Sequence, residues 1–375
     1  MKKRFDEIDV MRIIGFLLVV DQHILGAYAQ RPEAGFAESM VLHFLYLLGR
    51  PAVPMFAAIT GFTLFYVNYN RLNIGEFYKK RFITIVMPYI FWSLASIVIF
   101  NKYYLLRDFL LVIATGNASY HLWYMSMSIR LYMWFPLISA AMKRVLKLES
   151  AYQKILLALF FIAYWALLRE NNHITDTISA LLFGTPSLLE KRLIMYSPVF
   201  WSAYFVCGAV ASLNYEHFKQ MLLKHEKMII VTYIPVLLYM YYTQICNQLP
   251  EKLLQISYAH LIYIVYMLQT TAVVYIASVR LALKAERYRR LITELGSLSY
   301  GAYLVHVMIL QKVAPVIRRG IIAESYLASG LLIFSAVSVL SFTLCYIIRF
   351  LPLSEYIIGV KGRQNKLVQS NTYSM

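Results

Sequence analysis

Ten apolar stretches divide the chain, at residues 8–28, 51–68, 82–100, 121–141, 154–168, 197–213, 228–246, 258–279, 296–317 and 326–350. Each is close to the ~20 residues a helix needs to cross a hydrocarbon core, and flanking aromatics extend the shorter ones. Within lipid only helices and closed barrels satisfy the backbone, so the pattern predicts an all-α polytopic membrane bundle of about ten transmembrane helices. Residues 36–48 (FAESMVLHFLYLL) read as an amphipathic lead-in to the second helix. The run ISALLFG, 178–184, lies in the long loop 169–196 and suits the membrane interface. No internal repeat is evident. Residues 1–350 are expected to form one transmembrane domain and 351–375 a short cytoplasmic tail.

The loops set the orientation. With the N-terminus inside, 23 of the 36 Lys and Arg fall in inner segments and 11 in outer loops, while Arg12 and Arg130 lie within spans. Cytoplasmic loops carry the excess of positive charge, so both termini are expected in the cytoplasm. Composition agrees with this picture. The chain is 60% hydrophobic and 15% charged, against about 45–50% and about 25% in soluble domains. A net charge of +17 would suit nucleic acid, but the basic residues recur in short clusters between apolar runs and form no single patch. Lipid, and no nucleic acid, is the expected partner. Cys207, Cys246 and Cys345 lie in or at the end of apolar runs, without metal or disulfide spacing, and read as small buried hydrophobes. No metal site is expected. Lys2, Lys3 and Arg4 before an apolar run imitate a signal peptide, but Asp6, Glu7, Asp9, Asp21 and His23 spoil it; a retained first helix is the better reading.

Ionisable side chains at membrane depth cost at least ~2.5–3.5 kcal/mol each and normally face a bundle interior or wet cavity. Arg12 and His23 are eleven residues apart, about three helical turns, so they share a face and lie roughly 16 Å apart along the axis. Gly15, Val19 and Gly26 fall near that face. Such a face suits a long thin ligand whose anionic end meets Arg12 and whose reactive end meets His23. The plainer alternative is that Arg12 snorkels to headgroups and His23 packs. Asp21 points elsewhere on the helix, and an ion pair with Arg130, at similar depth in the fourth span, is the preferred reading. In GSLSYGAYLVH, 296–306, Ser299, Tyr303 and His306 form one polar stripe. His306 is expected at the depth of His23, which suits a reaction chamber, a transporter's proton relay, or simple interhelical hydrogen bonding.

Four stretches resemble the membrane acyltransferase 3 family, the integral-membrane O-acyltransferases of bacterial polysaccharides. They are the Arg12–His23 spacing, PAVPMFAAITGFTLF (51–65), HLWYMSMSIRLYMWFPLI (121–138) and SLSYGAYLVH (297–306), in family order. Thr60 stands where serine is usual. YKKRFITIVMPY (78–89) is similar to the family's basic segment before a proline and keeps Arg81, with Thr84 where a second arginine is common.

The resemblance implies a multi-pass protein of the bacterial cytoplasmic (inner) membrane that moves an acetyl or succinyl group from cytoplasmic acyl-CoA to a sugar hydroxyl. The acceptor would be a cell-envelope or exopolysaccharide, or a lipid-linked glycan, on the outer side. It assigns acyl-CoA as co-substrate, with no tightly bound cofactor. Arg12 with Lys79, Lys80 and Arg81 would hold the donor's phosphates, and His23 would act as general base. His121, Trp123, Ser299, Tyr303 and His306 would bind the acceptor or support the site. Either this domain completes the transfer or a separate extracytoplasmic protein does. Two further readings are a polysaccharide exporter or flippase and a partner subunit of a polysaccharide synthesis complex.

Overall fold

The computed structural model describes residues 4–31, 33–246, 260–319 and 325–362. The apolar stretches fold as helices because each helix satisfies its own backbone within lipid. In chain order these are α1 (Asp6–Ala29), α2 (Phe36–Gly49), α3 (Ala52–Asn68), α4 (Ile74–Arg81), α5 (Met87–Ile99), α6 (Phe109–Thr115), α7 (Trp123–Val145), α8 (Ser150–Arg169), α9 (Asn171–Phe183) and α10 (Leu188–Met195). They continue with α11 (Ser202–Leu213), α12 (Tyr215–Lys224), α13 (Glu226–Cys246), α14 (Leu261–Lys284), α15 (Arg289–Arg319), α16 (Tyr326–Ile348) and α17 (Ser354–Ile358). No strand occurs among the described residues.

Nine helical stretches among the described residues are long and apolar enough to cross a membrane. They match nine of the ten expected segments. The tenth, α7, is a 23-residue helix, but Arg130, its serines and its interfacial aromatics dilute its apolar character. The lead-in at 36–48 is the separate helix α2, which runs with α3 as one apolar stretch, Phe36–Asn68. The run ISALLFG completes α9, with Ser179 buried and Leu181 and Leu182 exposed. Of the expected tail, residues 354–358 form α17, whose Ile358 is fully buried where α17 packs on α15 and α16. Residues 363–375 lie outside the described residues, as does the start of the stretch expected at 258–279.

By their contacts the helices form two compact units. The first comprises the described parts of residues 1–56, 216–257 and 262–375. Here α1 packs against α2, α15 and α16, and α15 against α16. Phe16 and Val20 of α1 are fully buried, so the first helix is an integral part of the core. One end of this unit is stitched by ion pairs: Glu7 with Lys219, Asp6 with Arg289, Glu226 with Arg280, and Glu294 with Arg349. The acidic first turn of α1 also complements its helix dipole.

The second unit comprises residues 57–215 with the described residues 260–261. Its core is aromatic. Phe135 meets Phe65 and Phe77 at ring separations of 5.4 and 5.2 Å, and Phe65 meets Phe205 at 6.1 Å, spacings that edge-to-face and offset rings favour. Helices α3 and α11 approach closely through Gly61 and Gly208. A Cβ on Gly208 would come within 1.9 Å of the Ala58 carbonyl oxygen. Small residues let membrane helices make such contacts. Between α4 and α5 the helix widens to a π-helical turn, Phe82–Val86. Pro88 explains it: the ring clashes with the carbonyl four residues back, and the wider turn relieves the clash.

Replacing Gly208 by Ala should force α3 and α11 apart and cost about 1–3 kcal/mol of stability, read as a fall in the thermal unfolding temperature in detergent. Gly35→Ala, with open space around its Cβ position, should leave that temperature unchanged.

Candidate active site

Because α1 is one unbroken helix from Asp6 to Ala29, the spacing of Arg12 and His23 translates directly into space, with both on one face and roughly 16 Å apart. On α15, Ser299, Tyr303 and His306 are all buried, and α15 packs along α1. The two histidines meet. Their rings stack at 5.5 Å with 24° between planes. Phe16 closes on the edge of His306 at 6.2 Å and Tyr303 at 5.6 Å. His306 Nδ1 lies 2.6 Å from the Tyr303 carbonyl oxygen. A carbonyl only accepts, so the proton sits on Nδ1 and Nε2 carries the lone pair. The Ser299 hydroxyl donates to the Gly296 carbonyl at 2.9 Å, within its own helix.

At the other end of this face, Arg12 donates to Asp9 at 2.9 Å, and Arg4 donates to the same carboxylate at 2.5 Å. Asp9 is fully buried. It is the residue that reading the sequence missed. An acidic side chain three residues before Arg12 was a usable signal, but it counted only as evidence against a signal peptide. Two guanidinium groups around one carboxylate still leave this mouth cationic. Gly15 and Gly26, expected to leave room for a ligand along the face, do not. The side chains of Met55 and Phe56 reach within 2.9 Å of a Cβ on Gly15, and Tyr46 within 2.5 Å of one on Gly26. A missing side chain at these positions admits neighbouring side chains.

Asp21 and Arg130, expected as an ion pair, fall in different units, the first and the second, and each is described by its own unit's contacts. Asp21 has no ion-pair partner among the described residues; its carboxylate lies against α2, where a Cβ on Gly49 would come within 2.5 Å of Oδ2. Arg130 donates to the carbonyls of Leu193 and Tyr196, each at 2.6 Å. Carbonyls at a helix C-terminus lack intrahelical donors and carry the negative end of the dipole. A guanidinium there satisfies both needs without a carboxylate.

The remaining expected residues lie in the second unit. Lys79 and Lys80 are exposed in the last turn of α4, and Arg81 stacks over Tyr132 and Phe77 at 5.2 and 5.5 Å. Thr84 spends its hydroxyl on the Lys80 carbonyl at 2.8 Å and adds no charge. His121 is buried with Nδ1 3.1 Å from the Ser119 hydroxyl. Trp123 stacks on Tyr196 at 4.9 Å and lies 5.4 Å from Trp201.

A family model described as an acyltransferase domain matches residues 5–350, which reaches into both units and takes in every site residue expected from the sequence. The chain belongs to the membrane acyltransferase 3 family. No curated protein and no solved structure matches it. It is therefore an acyltransferase and, with its apolar helices, a multi-pass membrane protein. In this acyltransferase the two stacked imidazoles mark the place where α1 and α15 bring titratable side chains together.

Asp9→Asn should weaken both arginine contacts. The arginines are partly exposed, so the expected loss is roughly 1–3 kcal/mol, measured by thermal unfolding. Arg130→Met should cost a similar amount by leaving the Leu193 and Tyr196 carbonyls without donors.

Proposed function

We propose that this acyltransferase moves an acetyl or succinyl group from cytoplasmic acyl-CoA to a hydroxyl of a cell-envelope polysaccharide, from the bacterial inner membrane and with both termini in the cytoplasm. The observation that carries the reading is the His23–His306 stack on the helix face that begins at Arg12. The charge bias of the loops supports the orientation. Arg12 and Arg4 would meet the anionic end of the donor at the cytoplasmic mouth. In the same topology Lys79, Lys80 and Arg81 form a second cationic cluster on that side.

His23 would take the proton from the acceptor hydroxyl as its oxygen attacks the thioester carbonyl. The C–S bond then breaks, the ester forms, and the proton passes to the departing thiolate. A neutral imidazole nitrogen can accept that proton and give it back, which suits both halves of the exchange. His306, with its lone pair on Nε2, suits a hydroxyl that donates to it. The Tyr303 hydroxyl suits the carbonyl oxygen, where negative charge develops.

His23→Ala should remove acyl decoration by at least ~100-fold while the glycan is still made and displayed, measured on extracted polysaccharide. Loss of the glycan itself would favour an exporter, and persistent decoration would end the catalytic assignment. Arg12→Ala, and separately Lys79→Ala with Lys80→Ala, should weaken acyl-CoA binding in the folded protein. Unchanged affinity in both would remove the donor-site assignment.

A further inference from the structure

The second unit contains a cavity of about 300 Å³ that lies apart from the stacked histidines and includes Trp123 in its wall. Its walls come from two segments far apart in sequence, residues 102–123 and the C-terminal end of α10. The first wall folds back sharply. Gly116 ends α6 at φ 72°, and a Cβ there would sit 2.5 Å from the carbonyl of Leu122, so only glycine lets the turn close onto the start of α7. Two hydrogen bonds hold it, from Ser126 to the Ala114 carbonyl and from Tyr89 to the Ile113 carbonyl. The second wall starts from a Ser187–Glu190 capping box and ends where Arg130 takes the last carbonyls of α10. Asn117 and Arg192 hydrogen-bond across the two walls. The cavity is thus built by buried and capped backbone on both sides.

Its lining is chemically narrow. Tyr104, Tyr120, Trp123 and Tyr196 supply aromatic surface, and Lys102 and Arg192 supply positive charge. None of the described residues lining it is acidic. Small-molecule pockets begin at about 300 Å³, so this one takes a short unit of a chain and excludes a folded partner. Aromatic rings pack against the apolar faces of sugar rings, and a guanidinium beside an ammonium recognises carboxylate or phosphate. In the topology proposed above, residues 101–120 and 169–196 are outer loops, the side on which a glycan acceptor is presented.

We infer that this cavity is an acceptor subsite for an acidic sugar unit, a glycosyl residue bearing carboxylate or phosphate, with Lys102 and Arg192 reading the anion and Trp123 and its neighbouring tyrosines holding the ring. The inference rests on the acyltransferase reading for its orientation and acceptor class.

The test is titration calorimetry of the full chain in uncharged detergent with trigalacturonate, galactose trisaccharide and glucose 1-phosphate, without acyl donor. Trigalacturonate or glucose 1-phosphate should bind at least tenfold more tightly than the neutral trisaccharide, with affinity falling as salt rises. Which of the two binds better separates carboxylate from phosphate. Lys102→Ala and Arg192→Gln should each weaken that binding about tenfold. Lys102 is the cleaner variant, since its side chain takes no part in the contact between the walls. Equal binding of acidic and neutral sugars, no binding of either acid, or wild-type affinity in Lys102→Ala would overturn the proposal. So would displacement of the probe by phosphatidylglycerol, which would mark a lipid-headgroup site. Because no transfer occurs in this assay, its failure leaves the His23 test standing, and failure of the His23 test leaves this result standing.

Discussion

The fully buried carboxylate of Asp9 is the contact on which the histidine site depends. A charge in a low-dielectric interior must be paired, and Asp9 is paired twice, to Arg4 and Arg12. Arg4 in turn donates to the Thr293 carbonyl of α15. Gly296 of α15 lets Asp9 come close: a Cβ there would sit 2.6 Å from Asp9 Cβ. The axial register of α1 against α15 is set at this end. Further along the same packed pair of helices, His23 stacks on His306.

In the second unit the corresponding constraint is Arg130. Its guanidinium reaches the two carbonyls that end α10. That holds Arg192 and Tyr196 beside Trp123, and Gly116 permits the opposing turn. Arg130 thus caps the end of α10 and orders a cavity wall. A planar, permanently charged group with several donors does this better than an ammonium would.

Nearly all the long helices were legible in the apolar pattern, because spanning length and backbone satisfaction leave a lipid-embedded chain few alternatives; the short helices α4, α6, α10, α12 and α17 were not. The spacing of Arg12 and His23 was legible too, since it depends on one helix. Ser299, Tyr303 and His306 were legible as a stripe for the same reason. Pairings between helices were not. Gly15 and Gly26 suggested space, but whether a glycine borders space or a neighbour's ring depends on the helix packed against it.

The sequence by itself determined the membrane class, the helices and the two candidate histidines, all consequences of local composition and helical period. Only the tertiary structure decided that those histidines stack, that Asp9 anchors Arg12, and that Arg130 caps a helix. It also decided that two segments far apart in sequence, neither carrying a recognisable sugar-binding pattern, enclose a cationic, aromatic cavity. Such contacts join residues separated by tens to hundreds of positions, and a one-dimensional pattern carries no information about which faces will meet.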